Sequence, residues 1–255
     1  MAITRALIRH KLRALCIHLG IGALIFLPIL YLLWFRWFPA PLFFTDGGWQ
    51  GLRIMLFVDL VIGPSLTFLV FNPAKSRRAL SFDFSCIALV QAVALTYGAY
   101  SIEQKRPWVM ALQDGAFHAV TRDVYQKQAI ASEDWAKLGS GPIYWVFTRE
   151  PHSKEETAGV TAYQFLQSIA SYQLEFLYEP LAQHPDAIKK AALDLAKGTG
   201  DTKLDGLLRQ YQSQHPEALY FVKHEGYFRE AVLAFDADNH YVGAIYKPVQ
   251  DAHKN

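Results

Sequence analysis

The sequence predicts a membrane protein with three N-terminal transmembrane α-helices followed by an α+β domain with an antiparallel sheet. Three apolar runs in the first hundred residues are each long enough to cross a bilayer, whereas the rest mixes charged and apolar positions in short segments. Charge divides in the same way, because residues 1–101 hold nine Lys and Arg against three Asp and Glu, and residues 102–255 hold 16 against 20. We therefore predict a transmembrane domain at 1–106 and a soluble domain at 107–255.

The first apolar run covers residues 14–35 and contains no charged side chain. Its 22 residues, at about 1.5 Å each, reach roughly 33 Å, more than a hydrocarbon core of about 30 Å. The basic start of the chain is also typical of a secretory signal, but this run is longer than the apolar part of such a signal. Trp34, Trp37 and Pro39 also stand where cleavage needs small residues. We expect the run to remain as an anchor.

The second and third runs have clear ends. The second, residues 50–71, carries Arg53 and Asp59 and stops at Pro73, which basic residues follow. The third, residues 84–101, is the shortest, and charged residues and a proline close it.

Lys and Arg orient these spans. Seven lie before the first span and between the second and third, and three lie in the other flanking segments. The positive-inside rule then predicts a cytoplasmic N-terminus and an outward C-terminal domain, which in a bacterial inner membrane is periplasmic. Cys16 and Cys86 fall at the inner ends of spans, so no disulfide framework is expected in the outward domain.

The outward domain alternates strand and helix patterns. Short alternating segments predict five or six strands, at residues 108–112, 116–120, 142–147, 218–223, 227–235 and 240–246. Asp114-Gly115 predicts a hairpin between the first two, and the last three suggest an antiparallel meander. Three or four helices are predicted. Apolar residues at helical spacing indicate helices at 163–172, 188–195 and 204–211, and an N-cap Ser132 followed by two acidic residues indicates one at 132–138.

The sequence contains none of the common catalytic or metal-binding motifs. The nine His are scattered with no pair at i, i+4, and there is no phosphate-binding or dinucleotide motif. The outward domain is net acidic, which argues against nucleic acid. We therefore expect no cofactor and no metal, and these patterns indicate no catalytic site.

Polar groups inside the predicted spans are more informative. If spans 2 and 3 cross antiparallel, Asp59 and Gln91 lie at almost the same depth, and Gly63 lies one turn from Asp59. Pro64 removes a backbone donor and is expected to kink span 2. Two interpretations remain open: this face packs the three spans together, or it forms a groove for a partner's transmembrane helix.

A long motif carries a family resemblance. The segments FTDGGWQGLRI at 44–54 and VDLVIGPSLT at 58–67, with the stop at Asn72-Pro73, resemble the TfpX/TfpZ family of type IV pilin accessory proteins, which includes the FimB-like fimbrial assembly proteins. The similarity covers about residues 1–120. It implies an inner-membrane protein that binds the cognate major type IV pilin, whose hydrophobic N-terminal helix is embedded in the membrane. It further implies promotion of assembly into pili as a non-enzymatic chaperone or adaptor.

This motif and the polar membrane face supply the candidate contacts. Eight residues are predicted to bind the partner: Asp46, Gly47, Gly48, Trp49, Arg53, Asp59, Gly63 and Gln91. Membrane lipid and the inner-membrane assembly machinery are further expected partners. Two alternatives are a membrane enzyme that modifies the pilin, with Asp46 as its acid, and a membrane-anchored periplasmic sensor. The short predicted cytoplasmic segments argue against the sensor.

Overall fold

A computed structural model of the protein describes residues 5–126 and 135–248. Its contacts group into two units, one made of Met1–Arg36 and Gly48–Gln104 and the other of Trp37–Gly47 and Lys105–Asn255. The segment Trp37–Gly47 therefore groups with the second unit although it precedes the second predicted span. A domain boundary at residue 106 stays a prediction.

The first unit confirms the three predicted spans. Within the described residues, three helices are long and apolar enough to cross a membrane: Ile8–Trp37, Gly48–Val70 and Arg77–Gln104. The third is longer than predicted because it begins directly after Ser76, whose Oγ accepts a hydrogen bond from the Ala79 N–H at 3.3 Å. The regular α-helices up to residue 104 are α1 (Arg5–Leu32), α2 (Leu42–Thr45), α3 (Gly48–Phe57), α4 (Gly63–Val70) and α5 (Arg77–Gln104). Of these, the short helix α2 belongs to the second unit.

The second span is interrupted by a π-helical turn at Val58–Ile62, between α3 and α4. Proline lacks an N–H, and its ring clashes with the carbonyl four residues earlier. The Gly63 N–H bonds to the Val58 carbonyl, five residues back, so the helix holds one extra residue just before Pro64. The disturbance expected at Pro64 thus takes the form of a widened turn, and this turn contains Asp59.

The described residues of the second unit form a seven-stranded sheet in the order β4-β3-β1-β2-β5-β6-β7. Its strands are β1 (Pro107–Gln113), β2 (Ala116–Thr121), β3 (Tyr144–Thr148), β4 (Tyr178–Pro180), β5 (Tyr220–Glu225), β6 (Ala231–Phe235) and β7 (Tyr241–Tyr246). The prediction of an antiparallel sheet was wrong at two places, where β1 runs parallel to β3 and β2 runs parallel to β5. Both β3 and β5 follow long connections, which can return the chain in the same direction, whereas a tight hairpin reverses it.

Two predicted supersecondary elements are confirmed. Asp114 and Gly115 join β1 to β2 with φ of 51° and 80°, the positive values that a two-residue hairpin turn requires. Strands β5, β6 and β7 pair antiparallel as the expected meander. Strand β6 begins at Ala231, later than predicted, because residues 226–230 form the β5–β6 turn.

The helices of the second unit match the sequence pattern in part. They are α6 (Arg122–Gln126), α7 (Lys154–Gln167), α8 (Ala187–Ala191) and α9 (Thr202–Gln214). The helix predicted at 163–172 ends at Gln167, because Ser168 adopts a left-handed conformation with φ of 54°. Of the segment predicted at 132–138, Trp135–Leu138 is a 3₁₀ turn, and residues 132–134 lie outside the described residues.

Helix α8 is shorter than the predicted 188–195, and a tertiary hydrogen bond explains the difference. The Leu193 N–H donates to the Phe221 carbonyl of β5 at 2.7 Å, so the chain leaves the helix to follow the sheet. Helix α9 covers the predicted 204–211. Its Leu204 and Leu208 pack in one core cluster with side chains of β5, β6 and β7.

The first turn of helix α7 contains an ion pair that should make the stability of the second unit depend on pH. Arg149 donates to both carboxylate oxygens of Glu156, at 2.8 and 2.9 Å, and the His152 N–H donates to one of them at 2.8 Å. The Arg149 hydrogen bond, followed by that from His152, lowers the pKa of Glu156 from 4.5 to about 2.

We expect Glu156→Gln to remove part of the acid sensitivity of the second unit. Because the folded pKa lies below the unfolded one, the ionised Glu156 contributes stability above pH 4.5 that disappears as the pH falls towards 2. The wild type should therefore be more stable than Glu156→Gln at pH 7 and should lose this advantage by pH 2. Urea unfolding of the solubilised chain at both pH values measures this, with Glu150→Gln as control. An advantage that persists unchanged at pH 2 would contradict the assignment.

Candidate functional site

The helices of the first unit enclose a groove of about 510 Å³ between α1, the second span and α5. Most of its lining is apolar. Four polar side chains contribute to it: His18, Asp59, Thr67 and Gln91. Polar side chains inside the hydrocarbon core of a bilayer are costly, and they are usually paired with other polar groups or have a functional role.

Two hydrogen bonds join these side chains in pairs. The Thr67 hydroxyl lies 2.8 Å from Nδ1 of His18, and Nε2 of Gln91 donates to Oδ1 of Asp59 over a long 3.4 Å. The predicted contact between Asp59 and Gln91 is therefore confirmed. The other carboxylate oxygen of Asp59, Oδ2, is buried and has no hydrogen-bond partner among the described residues. A buried polar oxygen without a hydrogen-bond partner is unfavourable in apolar surroundings.

Two glycines make room for this cluster. A Cβ on Gly22 would lie 3.2 Å from Oδ2 of Asp59, and a Cβ on Gly63 would lie 2.6 Å from Cδ of Gln91 and 3.0 Å from Nε2 of His18. The structure thus brings together Asp59, Gly63 and Gln91 of the predicted site residues. Glycine at both positions is what lets the polar side chains meet.

His18 and Thr67 were not among the predicted site residues. His18 and Gly22 are four residues apart on α1, and this spacing predicts that both lie on the face that packs against the other spans. Thr67 follows the π-turn. The extra residue in this turn rotates Thr67 away from the helix face that a regular helical period assigns to it.

Three other predicted residues lie on α3. Gly48 begins the helix and is buried. The Arg53 guanidinium lies 6.0 Å from the centre of the Trp49 ring, one turn earlier, in an exposed cation–π contact. Partner contact by these residues stays a prediction.

Asp46 and Gly47 belong to the second unit, where Asp46 is part of a buried cluster. Oδ2 of Asp46 lies 2.8 Å from Nε2 of His224 and accepts from the Thr45 hydroxyl at 2.6 Å, while Oδ1 accepts from the Tyr227 N–H at 3.1 Å. Nδ1 of His224 faces the Phe117 carbonyl at 3.0 Å. Because a carbonyl only accepts, Nδ1 carries the proton of that bond.

This cluster ties the segment Trp37–Gly47 to strand β5. Both oxygens of Asp46 are engaged within the unit, and its side chain is 4% exposed, so the geometry gives Asp46 a bonding role inside the fold. Sequence reasoning missed His224, which lies 178 positions from Asp46 with no local pattern linking the two. Contact of Asp46 or Gly47 with a partner stays a prediction.

The fold and the groove define a helical membrane protein with an added mixed-sheet unit. No protein-family model matches the chain, and no solved structure matches it.

The chain is similar to three Dichelobacter nodosus proteins that are named fimbrial assembly protein. It is 33% identical over 91 residues to the protein of serogroup E1, which covers 36% of this chain and 35% of that one. It is 36% identical over 76 residues to the protein of serogroup I, which covers 30% of each chain. The match to the protein of serogroups C1 and C2 is also 36% over 76 residues, and it covers 30% of this chain and 58% of that one.

These matches have a limited extent. The chain spans about a third of the length of the first two relatives and 58% of the third. They support the fimbrial assembly part of the resemblance found in the sequence. Membership of the TfpX/TfpZ family stays a prediction.

Proposed function

We propose that this protein is an accessory protein of the bacterial inner membrane that binds the cognate major type IV pilin and promotes its assembly into pili. It acts as a non-enzymatic chaperone or adaptor, with a cytoplasmic N-terminus and a periplasmic sheet unit. The names of the similar proteins support a task in fimbrial assembly. The three apolar helices support a membrane location.

The groove in the first unit is the observation that carries the proposal. It offers an apolar surface for a partner's transmembrane helix, and Asp59 presents a buried oxygen that lacks a donor. A pilin helix that inserts into the groove and brings a hydrogen-bond donor to Asp59 would satisfy this oxygen. One such bond contributes only about 0.6–2 kcal/mol, which suits a subunit that must later be released.

The proposed contacts fall into two groups. Asp59, Gly63 and Gln91 form the groove contact with the pilin helix. The remaining five predicted residues, at 46–49 and 53, are proposed to contact the pilin near the outer ends of the spans. Lipid and the assembly machinery complete the proposed partners.

A photocrosslinking amino acid in the groove tests the pilin contact. Ile21 lines the groove, whereas Leu24, on the same helix and 71% exposed, lies outside the lining. In piliated cells we expect crosslinks to the pilin from position 21 and few from position 24. Equal yields from the two positions would remove the groove as the binding site, and normal surface piliation after gene deletion would remove the proposed function.

Asp59 variants separate a packing task from a binding task. Asp59→Leu should accumulate to normal levels and reduce pilin crosslinking from position 21 by about 3- to 30-fold, the equivalent of one membrane hydrogen bond. Asp59→Asn keeps an acceptor oxygen and should retain most of the crosslinking. Wild-type crosslinking by Asp59→Leu would exclude a partner contact at this residue.

A further inference from the structure

Chain connectivity fixes where one segment of the second unit lies. Trp37–Gly47 follows the apolar helix Ile8–Trp37 and leads directly into Gly48–Val70, and both helices are long enough to span. A short connection between two spanning helices stays at the membrane surface. This holds whichever side of the membrane the connection occupies.

The β5–β6 turn is bonded to this connection. The Phe228 and Arg229 N–H groups point to the Thr45 carbonyl at 2.8 and 3.3 Å, and the Tyr227 N–H donates to Asp46 at 3.1 Å. The contact is close enough that a Cβ at Gly226 would lie 2.7 Å from Cβ of Thr45. The turn is therefore held next to the connection inside the second unit.

Side chains at this turn are aromatic and open to solvent within the unit. Tyr227 is 86% exposed and Phe228 is 50% exposed, with ring centres 4.9 Å apart in an edge contact. Phe44, on the connection itself, is 37% exposed and packs edge-on against Tyr246. Exposed aromatic rings are costly in water but are favoured in the headgroup region of a bilayer.

We propose that Tyr227, Phe228 and Phe44 form a lipid contact that anchors the sheet unit in the headgroup region of the membrane. The inference rests on connectivity and on bonds inside the second unit, and it is independent of pilin binding. Both surfaces of a cell membrane and the surface of a synthetic bilayer have a headgroup region with the same chemistry. A reconstituted membrane is therefore a sufficient test.

Spin labels on the full chain in lipid nanodiscs test the anchor. Cys16 and Cys86 are free and exposed, so both are first replaced with Ala. One label is then placed at Tyr227→Cys, and a matched one at Asp238→Cys. Asp238 lies in the exposed β6–β7 turn, at the other end of β6, about 17 Å away for a five-residue strand.

Collision rates with oxygen, which enters lipid, and with a water-soluble nickel chelate give the result. The label at 227 should show a severalfold higher ratio of oxygen to nickel accessibility than the label at 238. The same ratio at both positions would overturn the lipid contact. Protection of the 227 label from both reagents would also overturn it, since that pattern indicates coverage by protein.

Discussion

Replacing His224 with Ala is expected to destabilise the second unit by about 1–3 kcal/mol, the usual cost of leaving a buried polar group without its hydrogen-bond partner. His224 and Asp46 have side chains 0% and 4% exposed, with 2.8 Å between Nε2 and Oδ2. The substitution leaves the Asp46 carboxylate buried without this partner. It also leaves the Phe117 carbonyl without the proton that Nδ1 supplies.

Hydrogen exchange of the solubilised chain, followed by mass spectrometry, measures this loss where it occurs. Peptides covering β5 and β6 should exchange faster in His224→Ala, because the side-chain bonds from β5 to Asp46 and to the Phe117 carbonyl are lost. His240→Ala is the matched control, since His240 pairs with Asp236 at 3.3 Å on the surface and should cost under about 1 kcal/mol. Equal exchange in the two variants would contradict a stabilising role for the buried pair.

A double-mutant cycle separates the pair from its surroundings. Asp46→Ala alone should also destabilise, whereas His224→Ala with Asp46→Ala should cost clearly less than the sum of the two, because neither partner is then left alone. Asp46→Asn retains an acceptor for the Tyr227 N–H and should be the mildest change. Additive effects would show that the two side chains act independently.

The parts of the fold that the sequence predicted depend on neighbouring residues. Apolar runs of about twenty residues identify the spans because a bilayer demands that length. Asp114-Gly115 identifies its hairpin because both positions need positive φ. The stripe at 204–211 ends at a His-Pro pair, and α9 ends there too.

The unpredicted parts depend on distant residues. Parallel pairing of β1 with β3, and of β2 with β5, follows from how long connections cross the sheet, which no local pattern encodes. Strand β4 has three residues and too little alternation to detect. The link between Asp46 and His224 joins opposite parts of the chain and became visible only in three dimensions.

In the groove, too, one contact could be predicted from the sequence and others could not. Asp59 and Gln91 could be paired from depth alone, because each lies near the middle of its span. The positions of His18 and Thr67 relative to them depend on the π-turn at Val58–Ile62. One extra residue rotates the following helix by about 100° relative to a regular count, so the face after Pro64 could not be assigned from a 3.6-residue period.

Gly63→Leu is expected to have the largest effect on the membrane helices. Even a single Cβ there would lie 2.6 Å from Cδ of Gln91 and 3.0 Å from Nε2 of His18, so a leucine must push these side chains away. Overpacking of this kind costs about 1–3 kcal/mol, and the hydrogen bond from Gln91 to Asp59 is lost in addition. The groove wall changes shape, so pilin crosslinking from position 21 should fall as well.

The control for this change is Gly20→Leu. Gly20 lies on α1, and nothing stands within 4 Å of where its Cβ would be, so an added leucine should meet lipid and leave the melting temperature in detergent near the wild-type value. Gly63→Ala should fall between the two, because the Gln91 amide is the flexible end of its side chain and can swing aside. A melting temperature and crosslinking yield for Gly63→Leu that equal those of Gly20→Leu would show that close packing at Gly63 supports neither the helix bundle nor its groove.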